Sequence, residues 1–94
     1  MIKVAFKACV SGAVQGVGFR YFTYQEANRL ELSGYVKNLP DGRVEVFAEG
    51  LKNHLDQFLD ILKEGPRFST VEHVDIEWQE YSNKYQSFRI ESGY

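Results

Sequence analysis

Two hydrophobic periodicities alternate along the chain, and their order constrains the fold more than any other feature. Residues 3–11, 43–49 and 71–80 alternate apolar with polar side chains, as half-buried strands do. Residues 19–32 and 52–64 instead carry apolar side chains at helical spacing, as amphipathic helices do. The chain is therefore predicted to switch repeatedly between strand and helix.

Two further extended segments complete the pattern. Residues 34–39 are separated from the strand at 43–49 by Pro40-Asp41-Gly42, a hairpin-turn signal, so the two strands are predicted to pair in antiparallel fashion. A short run at 86–91 predicts a last strand. The order β-α-β-β-α-β predicts an α+β, ferredoxin-like split βαβ sandwich, with two helices on one face of a four- to five-stranded antiparallel sheet. One domain is expected over residues 1–94.

The same periodicities predict which side chains form the core. On the strands the inward positions are Val4, Phe6, Ala8, Val10, Val44, Val46, Ala48, Val74, Ile76, Trp78, Phe88 and Ile90. On the helices they are Phe19, Phe22, Thr23, Ala27, Leu30, Leu55, Phe58, Leu59 and Leu62. Glu45, Phe47 and Glu49 alternate with the inward positions and are predicted to lie on the outer face, with both carboxylates solvated.

Composition excludes several classes of function. A net charge of −2 over 94 residues argues against a general nucleic-acid surface. The single cysteine, Cys9, excludes an internal disulfide, and no Cys/His cluster has metal-site spacing. No apolar run approaches the ~20 residues of a membrane span, and the N-terminus lacks the apolar core of a signal peptide. We expect a cytoplasmic protein that acts without membrane or nucleic acid.

The segment between the first strand and the first helix is rich in glycine and ends on an arginine. Gly12, Gly16 and Gly18 precede Arg20 within a predicted turn at residues 12–18. Backbone N–H groups of such a turn, the N-terminal end of the helix and a guanidinium fork together suit a small tetrahedral anion. The segment lacks the Gly-Lys-Ser/Thr of a nucleotide P-loop and the third glycine of a dinucleotide site. A purely structural turn remains the alternative.

Asn38 is the second candidate, although an asparagine there can be only a turn-capping residue. The predicted topology places the strand at 43–49 between the first strand and the strand that carries Asn38. Asn38 can therefore approach the glycine segment, and its amide can orient a water molecule beside a bound anion. No role in catalysis is expected for His54, His73 or Cys9. Without a nucleophile, metal or titrating base, such a site suffices only for a substrate that is already activated.

Two long segments resemble the signature sequences of the acylphosphatases. They are residues 12–20 and residues 34–46, together with Gly50, and the resemblance extends to Gly65-Pro66 and over nearly the whole chain. One departure is Ala13, where family members often carry a basic residue, and it bears at most on substrate preference.

The resemblance implies hydrolysis of the carboxyl–phosphate bond of acyl phosphates, giving a carboxylate and inorganic phosphate. Arg20 would bind the phosphoryl group together with backbone N–H groups of the preceding loop, those of Gln15, Gly16, Val17, Gly18 and Phe19. Asn38 would position the attacking water. The family uses no metal or organic cofactor, and a monomer is expected. A phosphate oxygen of the substrate is our hypothesis for the acceptor of the water proton.

Other functions share parts of this pattern. The N-terminal domain of hydrogenase-maturation carbamoyltransferases has a similar fold and cradle and handles carbamoyl phosphate. The end of this chain at Tyr94 favours a free-standing enzyme instead. RNA-recognition domains share the element order, but Glu45 and Glu49 flank the outer-face Phe47 and argue against RNA. A phosphate-binding regulator without turnover is a third possibility.

Overall fold

Five strands and two helices make up most of residues 2–92, which are the residues that the computed structural model describes. Met1, Gly93 and Tyr94, at the ends of the predicted domain 1–94, lie outside them. The elements are β1 (Lys3–Ala13), α1 (Phe19–Arg29), β2 (Ser33–Asn38), β3 (Val44–Leu51), α2 (Lys52–Glu64), β4 (Thr70–Glu80) and β5 (Phe88–Ile90). The predicted order and the α+β ferredoxin-like fold are confirmed. α2 ends as predicted, because Gly65 follows it with a φ of 74°.

The strands form one sheet in the order β4-β1-β3-β2-β5. β3 lies between β1 and β2 and pairs with both in antiparallel fashion, as the topology predicted. The prediction of a wholly antiparallel sheet is wrong for β5, which pairs with β2 in parallel. The chain reverses after β4 but rejoins the sheet at its opposite edge, and in that position β5 runs in the same direction as β2.

The core lies between the sheet and the two helices. Phe6, Phe19 and Phe58 are its largest buried side chains, and Phe6 stacks on Phe58 with ring centroids 6.1 Å apart. Thr23 is also fully buried, and its hydroxyl donates to the carbonyl oxygen of Phe19 at 2.8 Å, which satisfies the polar group inside the core. The central predicted core positions are thus confirmed.

Four predicted positions on the strands differ from the structure. The Glu45 carboxylate was expected to be solvated, but its side chain is 15% exposed and accepts a hydrogen bond from the Tyr35 hydroxyl at 2.6 Å. Trp78 and Ile90 were expected inside, but each remains 41% exposed, because β4 and β5 are the edge strands and the helices do not cover them fully. Glu49 was expected to be solvated, but it is 1% exposed.

The connection between β4 and β5 explains the burial of Glu49. We call this connection, residues 81–87, the outer strap. Its Ser82 donates to the Glu49 carboxylate from the backbone N–H and from the hydroxyl, both at 2.9 Å, and its Tyr85 packs on Phe47 with ring centroids 5.2 Å apart. The outer strap therefore crosses the face of the sheet that the helices leave open. Within residues 2–92, neither helix has the length and apolar character needed to span a membrane.

Candidate active site

The loop between β1 and α1 begins later than predicted, because β1 includes Gly12 and Ala13. Gly12 has a φ of 127° beside a bulge in the pairing with β4, and a Cβ there would lie 2.1 Å from the carbonyl oxygen of Thr70. Gly12 therefore permits close packing of two strands and is not part of the turn. Gly16 and Gly18 form the turn itself, with φ values of 77° and 80° and no atom within 4 Å of an added Cβ.

The backbone N–H groups of this loop are available to a ligand. Val14 donates to the carbonyl oxygen of Gly12 and Phe22 to that of Gly18, each at 3.0 Å. Residues 15–21 lie between these two donors. Within the described part of the chain, none of their N–H groups makes a backbone hydrogen bond of good geometry. Gly18 caps α1 without a side-chain hydrogen bond. Unpaired N–H groups at the start of a helix, with the positive end of its dipole, form a site that favours an anion.

Gln15 has a role that the sequence did not reveal. Its side-chain Nε2 donates to the carbonyl oxygens of Leu39 and Arg43, both at 2.9 Å. These carbonyls lie just beyond Asn38 and on either side of the Pro40-Asp41-Gly42 turn. One amide thus attaches the glycine loop to the β2–β3 hairpin. The only sequence signal was an amide side chain inside a run of small residues.

Arg20 and Asn38 line the same cavity, which has a volume of about 220 Å³. The structure brings them together because β1 and β2 flank β3, so that the end of β1 and the end of β2 lie on one side of the molecule. Both side chains are half-buried. The lining comprises Val14, Gly16, Gly18, Phe19, Arg20, Tyr21, Asn38 and Ile90. Five loop residues were predicted to bind the phosphoryl group through their amides. Three of them, Gly16, Gly18 and Phe19, line the cavity, and the other two, Gln15 and Val17, do not.

The guanidinium of Arg20 is hydrogen-bonded to the backbone beside β5, an edge strand of the sheet. Its Nη1 donates to the carbonyl oxygen of Glu91 at 3.0 Å, and the N–H of Glu91 donates to the carbonyl oxygen of Val36 at 2.9 Å. A guanidinium has five N–H donors, so this bond leaves others for a ligand. The backbone of Glu91, which directly follows β5, therefore fixes the arginine through a neutral carbonyl and leaves its charge in place.

Apart from Arg20 and Tyr21, the titratable side chains of residues 2–92 do not line this cavity. Burial raises the pKa of the Cys9 thiol, which opposes formation of a thiolate nucleophile. Burial and the hydrogen bond donated to Glu45 at 2.6 Å raise the pKa of the Tyr35 phenol. His73 forms an exposed pair with Asp75, as a solvated histidine would. His54 lies on α2, and its Nδ1 is buried without a hydrogen-bond partner among the described residues.

No group of three or more His, Cys, Asp or Glu side chains within residues 2–92 is arranged to hold a metal ion. The cavity instead combines one permanent positive charge, a carboxamide and free backbone N–H groups. These groups can bind an anion with several oxygens and place a water molecule beside it.

Comparison with known proteins agrees with this geometry. The family model for acylphosphatases matches residues 6–90, which include the glycine loop, Arg20 and Asn38. This chain belongs to the acylphosphatase family. It is 51% identical to an acylphosphatase of Archaeoglobus fulgidus over 93% of this chain and 97% of that relative.

Solved structures show the same relationship. The crystal structure of an acylphosphatase from Bacillus subtilis superposes with a TM-score of 0.90 at 41% identity, over 93% of this chain and 97% of that one. The acylphosphatase fold also recurs inside a larger protein. Full-length HypF in its phosphate- and nucleotide-bound form matches 98% of this chain, but only 12% of its own length, with a TM-score of 0.89 and 28% identity.

Proposed function

We propose that this acylphosphatase-family chain hydrolyses the carboxyl–phosphate bond of acyl phosphates by binding the phosphoryl group with Arg20 and loop amides and orienting the attacking water with Asn38. The observation that carries the proposal is the shared cavity: Arg20, Asn38 and the two turn glycines all line it. The amides assigned to the phosphoryl group are those of Gln15, Gly16, Val17, Gly18 and Phe19.

The loop and Arg20 act on the phosphoryl oxygens. Charge spread over three equatorial oxygens in phosphoryl transfer needs several donors that are already in place, and fixed donors cost no reorganisation during the reaction. Gly16 and Gly18 leave open space around their Cα atoms, so the loop backbone can approach the ligand closely. Arg20 is held by Glu91 and adds a permanent charge with planar geometry.

Asn38 acts on the water. It is the last residue of β2, and the N–H of Leu39 donates to the carbonyl oxygen of Arg43 at 2.8 Å, so the hairpin backbone beside it is fixed. Its amide oxygen accepts a hydrogen bond from the water and its amide nitrogen donates one. Holding the water near the phosphorus removes much of the entropic cost of bringing the reactants together.

The bonds and protons balance without a residue that titrates. The water oxygen bonds to phosphorus, and the bond between phosphorus and the acyl oxygen breaks. The acyl group leaves as a carboxylate, a weak base that needs no protonation. The water proton moves to a phosphoryl oxygen, so the second product is inorganic phosphate. An acyl phosphate is therefore a substrate for which this set of groups suffices.

The site is formed within one chain, and we propose that the protein acts as a monomer of one domain. We also propose that it acts in the cytoplasm, since its single half-buried cysteine requires no oxidising compartment.

Carbamoyl phosphate is a second candidate substrate, because the fold and the glycine loop also resemble the carbamoyltransferase domain that handles it. It presents the same phosphoryl group to the loop. The test of the first candidate is hydrolysis of benzoyl phosphate in the presence of a metal chelator, by the wild type and by Asn38→Ala. We expect turnover by the wild type and its loss in the variant. A wild type that binds phosphate but turns over neither benzoyl nor carbamoyl phosphate would be a binding protein.

A further inference from the structure

We propose that Tyr21 and Ile90 form a binding surface for the acyl group, and that the preferred substrates carry an aromatic or similarly bulky apolar acyl group. This inference rests on the proposed function, because it extends from the phosphoryl position that Arg20 and Asn38 define.

Two exposed apolar side chains lie beside the polar groups of the cavity. Tyr21 is 58% exposed and Ile90 is 41% exposed, and both line the cavity that contains Arg20 and Asn38. A single exposed apolar residue is normal on a protein surface. Two of them at the edge of one polar cavity indicate contact with an apolar part of a ligand.

The position of the phosphoryl group decides which walls the acyl group meets. Phosphate oxygens occupy the region of Gly16, Gly18 and Arg20, where the donors lie. Val14 and Phe19 are 1% exposed, so they form the floor beneath the ligand and offer little free surface. Asn38 is assigned to the water, so the lining residues that remain are Tyr21 and Ile90, whose exposed surfaces are available to the group on the other side of the scissile bond.

Neighbouring structure holds the Tyr21 ring and the backbone of Ile90 in place. The Tyr21 ring stacks on Tyr24 with centroids 6.2 Å apart and planes at 23°, and Tyr24 in turn packs against the core. Ile90 pairs with Val36 on β2. Because the Tyr21 ring and the Ile90 backbone are already positioned, contact with a ligand costs little additional ordering.

The size of the cavity limits the acyl group. Its volume of about 220 Å³ is smaller than the roughly 300–1,000 Å³ of sites that enclose a drug-sized molecule. The surface formed by Tyr21 and Ile90 therefore covers one side of a small acyl group, such as a single ring, and leaves its other side in water.

The test compares kcat/KM for benzoyl phosphate and acetyl phosphate, which share the phosphoryl group and differ in apolar area. In Tyr21→Ala and Ile90→Ala we expect the ratio of benzoyl to acetyl kcat/KM to fall about three- to tenfold, since partial burial of a ring is lost. Tyr21→Phe keeps the ring and should keep the ratio. Inhibition by inorganic phosphate should change less than twofold in all three variants, which also shows that the loop is folded.

Phe68→Ala is the matched control, because Phe68 is 78% exposed and does not line this cavity. Its ratio should equal that of the wild type. An unchanged ratio in both alanine variants, or an equal loss on both substrates, would overturn the acyl-binding role. A wild type that hydrolyses neither substrate would overturn the proposed function itself, so the two failures are distinguishable.

Discussion

The side-chain amide of Gln15 donates a hydrogen bond to the carbonyl oxygen of Arg43 at 2.9 Å and joins the loop before Arg20 to the turn after Asn38. A second bond from the same nitrogen reaches Leu39. The two halves of the candidate site come from different β-α and β-β connections, and Gln15 is the side chain that connects them. Its function is therefore to position, and it need not contact the substrate through its side chain.

Replacement of Gln15 should weaken the attachment of the glycine loop to the β2–β3 hairpin. Gln15→Ala removes one hydrogen bond from each of two carbonyl oxygens, which keep only their backbone N–H donors, so we expect a loss of about 1–2 kcal/mol in the free energy of unfolding and a fall of about tenfold in kcat. Urea denaturation and steady-state kinetics measure these effects. Gln79→Ala is the control, because Gln79 is exposed and its side chain donates a long hydrogen bond, of 3.3 Å, to the exposed Glu77. Equal kcat values for both variants would show that the connection is not needed.

Glu49 should be important for stability and not for turnover. Glu49→Ala removes the acceptor of two hydrogen bonds from Ser82 and detaches the outer strap, so we expect a loss of about 2–3 kcal/mol in the free energy of unfolding. Glu77→Ala, at an exposed position on β4, should change it by less than about 0.5 kcal/mol. Denaturant titration of the two variants is the measurement. Similar midpoints would mean that the strap is not anchored by this carboxylate.

Stability at alkaline pH should depend on Tyr35. Burial and the hydrogen bond to Glu45 raise the pKa of its phenol above the ordinary value of 10.0. The folded state therefore holds this proton more tightly than the unfolded state. The resulting stabilisation is fully present below about pH 10 and is lost as the pH rises from there toward the folded-state pKa. In Tyr35→Phe the fall in stability above pH 10 should be shallower than in the wild type. An identical slope would contradict this assignment.

The pH profile of turnover tests the proton acceptor. A guanidinium and a carboxamide do not titrate between mildly acidic and neutral pH. If a phosphate oxygen of the substrate accepts the water proton, kcat should be nearly constant over that range. Measurement of kcat from about pH 5.5 to 7.5 checks this expectation. A sharp bell-shaped profile with pKa values that belong to the enzyme would reveal an acid or base among its side chains.

Features of the fold that depend on local periodicity could be predicted from the sequence. The two helices, the hairpin at Pro40-Asp41-Gly42 and the central position of β3 follow from patterns within short windows, and this topology was enough to bring Asn38 toward Arg20. The parallel pairing of β5 was not predictable in this way, because it depends on which edge of the sheet the chain reaches after β4.

Contacts made by irregular segments were also missed. Glu49 alternates with inward residues and is therefore predicted to face solvent, but the outer strap, which has no periodic pattern, covers it. Gly12 is predicted from the sequence to belong to the anion-binding turn, but it instead permits the close approach of β4. Both differences arise from the tertiary packing of segments far apart in the sequence.

The central claim is that Arg20 binds the phosphoryl group, whereas Asn38 orients the attacking water. Its most direct test is to measure kcat for benzoyl phosphate and the affinity for inorganic phosphate in Arg20→Ala and Asn38→Ala. We predict that Asn38→Ala lowers kcat by about 10²–10³-fold while phosphate affinity stays within twofold of the wild type. Arg20→Ala should lose at least about tenfold in phosphate affinity as well as rate, because the charge is gone. Equal losses of phosphate affinity in the two variants would contradict the account.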